Sequence, residues 1–145
     1  MFRLMPALPG KERRSRRQSV RALVDALNRR DYQALRNCLA SDCLVTQTGG
    51  GRLKGPGTVV SLVAQIIVRF PEVNAVIETL DFDRGTILAR GHFDRGPEWL
   101  AERSLWRFMF EGDRISRIEM TQANAFADTH PGLEALERAP NNPLT

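Results

Sequence analysis

Arg90 and His92 are the residues best equipped for chemistry in this chain. In an extended strand they stand two positions apart on one face, about 7 Å from each other and pointing into the same space. A histidine, with its ordinary titration at about pH 6.5, can give or take a proton there, while an arginine holds a carboxylate or enolate oxygen. The strand leaves two arrangements open. Leu88, Arg90 and His92 share one face of the run Thr86 to Phe93, and Ile87, Ala89, Gly91 and Phe93 share the other. With the first face inward, Arg90 and His92 line an interior; with the second inward, they are solvated or lie at a subunit contact.

The run Trp99 to Phe110 supplies the other candidates. Arg103, Leu105 and Arg107 share its solvent-compatible face, so Ser104, Trp106, Phe108 and Phe110 are expected inward. Trp106 and Phe108 then form a flat aromatic wall, either as plain core or as a platform for a flat apolar ligand. Glu102, on the Ser104 face, can pair with His92 or Arg90 across the sheet or form an ordinary surface salt bridge. Gln47 and Asp42 sit near another lip of the interior, where Asp42 is expected to cap a turn.

Other chemistries lack their minimum equipment. Two histidines, His92 and His130, and two cysteines, Cys38 and Cys43, do not assemble a metal site, and the cysteine spacing fits no disulfide framework. Both cysteines read as small buried apolar groups. Gly49 to Gly51 lacks the lysine and hydroxyl spacing of a phosphate loop, and no dinucleotide fingerprint follows a strand. No cofactor and no metal is expected.

The elements that position these residues follow from periodicity. Val20, Leu23, Val24 and Leu27 form one stripe of a first helix over Arg13 to Asn28, with arginines opposite. Asp31 is placed to cap a second helix carrying Leu35, Cys38 and Leu39 and ending near Ala40, which Tyr32 is expected to pack onto the sheet. A short strand, Cys43 to Thr48, stops at the triple glycine in a hairpin or bulge. Gly55-Pro56-Gly57 opens a third helix, and Val59, Val60, Leu62, Val63, Ile66, Ile67 and Phe70 predict that it is largely buried before Pro71 ends it.

Beyond Val73 the period changes to two, over Val73 to Phe82, Thr86 to Phe93, Trp99 to Phe110 and Arg114 to Ala123. Three turns, Asp83-Arg84-Gly85, Arg95-Gly96-Pro97 and Glu111-Gly112-Asp113, join them as hairpins. The order predicts an α+β fold, three N-terminal helices packed on a strongly curved antiparallel sheet as a cone-shaped barrel. A flexible lead is expected over residues 1–12, the domain over 13–125 and a loosely structured tail over 126–145.

With 145 residues, 42% of them apolar and 26% charged, the chain suits one globular domain with a sizeable core. No apolar run approaches a membrane span, and the proline-broken start precedes its basic cluster, the reverse of a secretory leader. A cytoplasmic location is expected. The formal charge of +4 is uneven: residues 1–30 hold nine basic groups against Glu12 and Asp25, while the other 115 residues hold 12 basic and 15 acidic groups. Any nucleic-acid contact would belong to the segment Lys11 to Arg21, because the body has no basic surplus to follow a phosphate backbone, and nucleic acid is disfavoured as a partner.

Four stretches, "ALNRRDYQALRNCLASDCLV", "GGGRLKGPGTVVSLVAQI", "ARGHFDRG" and "LWRFMFEGDRISRIEM", in this order and spacing, resemble the nuclear transport factor 2-like superfamily with its ketosteroid isomerase-like and SnoaL-like polyketide cyclase branches. The resemblance covers roughly residues 17–124. It implies a conical fold with a pocket between helices and sheet, and a homodimer through the outer sheet face. SnoaL-like cyclases also carry a histidine after a glycine where Gly91-His92 stands. The places where ketosteroid isomerases hold their tyrosine, basic aspartate and protonated aspartate fall on Leu23, Gln47 and Ser104, none of which does that work. The late aspartate of cyclase and epoxide hydrolase branches would fall near Met120 or Ala123, and a one-residue bulge would bring the adjacent Glu119 inward.

The resemblance thus implies a small apolar ligand, with His92, Arg90 and Glu119 as the catalytic candidates. Leu23, Leu27, Leu44, Gln47, Val63, Ile67, Ser104, Trp106 and Phe108 are the expected pocket lining. Two functions remain open: a cofactor-independent isomerase, cyclase or dehydratase acting on an apolar, even polycyclic molecule, and a non-catalytic ligand-binding or protein-interaction domain.

Overall fold

The computed structural model describes residues 9–101 and 103–122. Its elements run α1 (Pro9–Asn28), α2 (Tyr32–Asn37), β1 (Leu39–Gln47), β2 (Arg52–Lys54), α3 (Pro56–Arg69), β3 (Asn74–Asp83), β4 (Thr86–Asp94), α4 (Glu98–Ala101), β5 (Ser104–Glu111) and β6 (Arg114–Gln122). The α+β class holds. The six strands lie in the order β2-β1-β6-β5-β4-β3, so the sheet is open, with β2 and β3 as its edges.

Two expectations about the sheet are corrected. β3 to β6 form the antiparallel meander, but β1 runs parallel to β6, which makes the sheet mixed. Ile115 donates its N–H to the Cys38 carbonyl, and Leu39 pairs with Ile115. This draws Leu39 and Ala40 into a strand and ends α2 at Asn37, earlier than helical spacing alone predicts. The triple glycine does make a hairpin, whose return strand is the short β2. The run expected as one strand from Trp99 is divided: Leu100 donates to the Pro97 carbonyl in the turn of α4, and β5 begins only at Ser104.

Local chemistry explains the remaining boundaries. The β3–β4 connection is a two-residue loop in which Arg84 and Gly85 both have positive φ, 51° and 86°, the pattern that matches the twist of an antiparallel pair. The Asp31 side chain accepts from the Ala34 N–H at 3.1 Å and caps α2.

α1 begins at Pro9, inside the stretch expected as a flexible lead, and its polar face is tied down along its length. Ser15 and Ser19 donate to Asp113 in the β5–β6 turn, and Arg16 donates to the Gly85 carbonyl at 2.6 Å. The guanidinium groups of Arg13 and Arg16 lie over the rings of Phe82 and Phe110. At the other end Asn28 pairs with both backbone groups of Ala75 on the edge strand β3, at 2.8 and 2.9 Å. Arg30 donates to the carbonyls of Leu27, Pro71 and Val73.

α3 is less buried than its composition predicts: Val59 and Leu62 are buried, but Val68 is 62% exposed. The helix packs on α2, β1 and β2, leaving its far side uncovered. Among the described residues no helix is long and apolar enough to cross a membrane. The tail expected over 126–145 lies outside the described residues, as do Glu102, Ala123 and Asn124.

Candidate functional site

The face of each strand that looks toward the helices is set by alternation and by two bulges. On β4, Ile87, Ala89 and Gly91 are buried and Phe93 packs against the core, while Arg90 is exposed. On β5, Ser104, Trp106 and Phe108 are buried, as the charge pattern predicts. In β3, Ile77 pairs with Gly91 but Thr79 with Arg90, so Glu78 is the extra residue. In β6, Ile115 pairs with Phe110 but Arg117 with Met109, so Ser116 is extra. Each bulge resets the alternation, bringing Leu80 and Phe82 inward after Ile77, and Ile118 and Met120 inward after Ile115.

Between helices and sheet lies a cavity of about 130 Å³. α1 contributes Leu23, Val24 and Leu27; α2 adds Leu35; α3 adds Val59, Leu62, Val63, Ile66 and Ile67; α4 adds Leu100. The sheet supplies Val45, Leu53, Ala75, Phe93, Trp106, Phe108, Ile118 and Met120, and Val73, just before β3, also lines it. Every one is apolar. Of the lining residues expected from sequence, Leu23, Leu27, Val63, Ile67, Trp106 and Phe108 border this space. Leu44 does not, because Cys43, Val45 and Gln47 take the inner face of β1. Gln47 and Ser104 are buried on the inner face but are not among the lining residues.

The arrangement that would aim Arg90, His92 and Glu119 at the cavity is not the one the chain adopts. His92 pairs across the strands with Val76 on the outer face. Its Nε2 lies 3.0 Å from Asp94, and its Nδ1 lies 3.2 Å from Glu78 but off the N–H line, so it makes no hydrogen bond there. Arg103 approaches the same Glu78 carboxylate at 3.7 Å. Arg90 is solvated. Glu119 stands opposite Arg107 and meets Arg117 at 3.0 Å. β6 does carry a bulge, with the opposite consequence to the one expected: strict alternation from buried Ile115 would turn Arg117 and Glu119 inward, and the extra Ser116 turns them out.

Gly91 shapes the inner wall, a role that sequence reasoning missed. A β-carbon there would overlap the Val76 carbonyl oxygen and meet Cη2 and Cζ3 of Trp106 at 3.0 Å, so the indole rests its six-membered ring against bare backbone. Phe93 packs on the same indole, with ring centroids 5.4 Å apart and planes at 48°. The signal was a glycine inside a strand two positions before an aromatic residue on the same face. Leu100 was missed because the turn of α4 was read as strand.

Burial pushes the thiol pKa values of both Cys38 and Cys43 upward from their ordinary range; at Cys43 the backbone of Gly55 opposes the shift and the charge of Asp42 adds to it. Among the described residues no cluster of His, Cys, Asp or Glu could hold a metal ion.

The model of the SnoaL-like domain family matches residues 20–118. The chain belongs to the SnoaL-like family. Solved structures share the fold. The SnoaL-like chain superposes on Bal32a from a soil-derived mobile gene cassette with a TM-score of 0.71 at 16% identity, covering 80% of this chain and 95% of that one. A proposed polyketide cyclase of Sinorhizobium meliloti gives 0.64 at 21% identity, over 71% and 93%. A proposed ketosteroid isomerase of Kribbella flavida gives 0.64 at 16%, over 77% and 79%. At these identities the likeness is one of fold. No curated protein matches the chain by sequence.

Proposed function

We propose that this SnoaL-like domain binds a small apolar molecule in its interior cavity, and that His92, Arg90 and Glu119 take no part in the site. The observation that carries the reading is the separation of chemistry from space: the cavity walls hold no titratable side chain, while His92 and Glu119 lie against charged neighbours on the outer face and Arg90 is exposed there. Acid–base catalysis needs its group within hydrogen-bond reach of the reacting atom, and the intervening sheet denies that.

Size narrows the ligand. Pockets for drug-sized molecules run to roughly 300–1,000 Å³. A cavity of about 130 Å³ is closer to the engineered apolar void of about 150 Å³ that takes benzene. One ring matches that volume, and a fused polycycle exceeds it. The test is thermal and chemical unfolding of the full chain with benzene, toluene and naphthalene. Benzene and toluene are expected to stabilise saturably, by about 2.7 kcal/mol at a hundredfold excess over Kd. Val63→Phe, which places a ring in the cavity, should abolish that response. No stabilisation by any of the three at their solubility limits would overturn the reading.

The second reading, a cofactor-independent isomerase, cyclase or dehydratase, draws support from the names of two structural neighbours and from Gln47 and Ser104, buried polar groups on the cavity side of the sheet. It predicts turnover of a cyclic ketone that is lost on Gln47→Leu or Ser104→Ala and kept on His92→Ala. A homodimer through the outer face belongs to either reading. Leu105, 36% exposed, shares the outer face with Leu88 and Met109, which stand opposite Arg107 and Arg117, and sedimentation across a concentration series tests such a contact.

A further inference from the structure

The first half of α1 contributes little to the interior and is nevertheless held in place. From Gly10 to Ser19 no side chain is buried, and the helix reaches the cavity only with Leu23, Val24 and Leu27. Ser15, Ser19 and Arg16 fasten one side of it to Asp113 and Gly85 in two strand turns. On another side stand Lys11, Arg14, Gln18 and Arg21, all exposed. Helical spacing puts these four within about a quarter of the circumference, in a row about 15 Å long, with Arg17 beside it. The acids of α1 leave this row uncompensated: Glu12 meets Arg16 at 3.3 Å, and Asp25 meets Arg29 at 3.0 Å. Among the described residues Lys11, Arg14, Arg17 and Arg21 have no ion-pair partner. The row ends at an open groove between α1 and the edge strand β3, lined by Arg21, Ala22, Val24, Asp25, Asn28 and Ile77.

We propose that the exposed face of α1, from Lys11 to the groove beside Ile77, is a docking surface for an acidic segment of another protein. Carboxylates of that segment meet Lys11, Arg14 and Arg21, and an adjoining apolar side chain seats in the groove. Charge selects the acid: arginine pairs with carboxylates bidentately, and a helix already fastened by its other side loses little freedom on binding. The groove selects the apolar residue, because Ala22, Val24 and Ile77 offer it apolar neighbours. Nucleic acid fits this surface less well. A phosphate chain continues past a row of this length, and residues 31–145 hold 12 basic against 15 acidic groups, so nothing further along attracts it. A sugar–phosphate backbone also has no apolar group to place beside Val24 and Ile77. The surface is separate from the cavity and holds whatever the cavity binds.

The experiment uses the full chain, labelled with ¹⁵N and with ¹³C in its methyl groups, and three probes: hexaglutamate, hexaglutamate with two leucines at one end, and a short DNA duplex. Both peptides are expected to shift the backbone signals of α1 from Lys11 to Arg21, and to bind more weakly as salt is raised. The leucine-tailed peptide should also shift the Val24 and Ile77 methyl signals and leave that of Ile118, inside the cavity, unmoved. It should bind about tenfold more tightly than hexaglutamate, the gain that partial burial of a leucine corresponds to. Arg14→Gln/Arg21→Gln is expected to lower its affinity about tenfold, as the loss of two exposed ion pairs would. Arg52→Gln/Arg90→Gln makes the same change of net charge at exposed positions elsewhere, and should leave affinity within about twofold. Equal losses from the two double variants would reduce the effect to net charge and overturn the site. A duplex that shifts the same signals at lower concentration than either peptide would overturn the choice of partner in favour of nucleic acid. Backbone signals of α1 that respond to neither peptide would overturn the proposal outright, and a leucine tail that moves Ile118 in place of Ile77 would overturn the role of the groove.

Discussion

The two faces of β4 differ more than any two separate regions of this molecule, although their residues alternate one by one. Ile87, Ala89 and Gly91 are buried beneath the helices, where the side chains bounding the cavity are all apolar. Leu88, Arg90 and His92 occupy the outer face, where carboxylates and guanidinium groups pair with one another. Residues with catalytic potential and the space that could hold a substrate are thus separated by one sheet. Function in this fold depends on which way a strand faces, and a one-residue slip exchanges the two sets completely.

The largest expected effect tests the inner face. Gly91→Ala puts a methyl group into the Val76 carbonyl and against the Trp106 ring, and both neighbours are held, one as backbone of the edge strand and one between Gly91 and Phe93. Overpacking of this kind costs about 3 kcal/mol or more. Urea unfolding measures the loss, and the near-ultraviolet signal of the indole should change with it. A variant as stable as wild type would mean that Trp106 does not rest on this backbone.

A matched pair sharpens the comparison. Ile87 has no exposed surface and Leu88, its neighbour, is only partly covered on the outer side. Ile87→Ala is expected to cost about 3 kcal/mol, within the range for large-to-small changes in a closed core. Leu88→Ala should cost about 1 kcal/mol in the monomer. If the outer face joins two copies, the Leu88→Ala loss will instead depend on protein concentration, and the two faces will prove less unlike than they look in one chain.

Much of this architecture was legible in the residues. The change of period at Val73, the turn residues at Arg84-Gly85 and Gly112, and the arginines alternating with Trp106 and Phe108 identify the meander and the inner face of β5. The inner face of β4 was only partly legible: hydropathy favours Ile87, Ala89 and Phe93 over Leu88, but a cavity that used Arg90 and His92 would invert that preference. That of β6 was not legible. Whether Glu119 or Met120 faces in depends on the bulge at Ser116, and a bulge is a register relation with β5 that no single strand encodes. The parallel pairing of β1 with β6 is hidden for the same reason: periodicity reports faces, not neighbours. Gly91 was visible as a glycine, while its reason lay in the indole above it.

Alkali offers a smaller test. Cys43 is on the inner side of β1 and Cys38 precedes that strand, and burial raises both thiols from an ordinary value of 9.0. For a raised folded-state pKa the unfolded chain releases its proton first. The stability from keeping the thiols neutral is therefore complete below about pH 9 and lost as the pH rises through the folded-state values. Unfolding curves between pH 7 and 11 should fall less steeply for Cys38→Ala/Cys43→Ala than for wild type, since the other alkaline groups are common to both. Equal slopes would place the thiols in water.

The smallest expected effect bears most directly on function. His92 keeps 24% of its side-chain surface and sits between Asp94 and Glu78, so His92→Ala removes partly solvated polar contacts and relieves no cavity wall. Such contacts contribute about 1 kcal/mol or less, and salt should screen most of that. Affinity for a small ring compound should stay within about twofold of wild type, which is under about 0.5 kcal/mol. The outcome that would reverse the assignment is specific: stability unchanged but affinity for the ring compound reduced tenfold or more. A group on the outer face has no path to that result through contact, so it would mean that β4 presents its other face in the bound state, by a shift in register at the Glu78 bulge where the alternation of β3 is already reset.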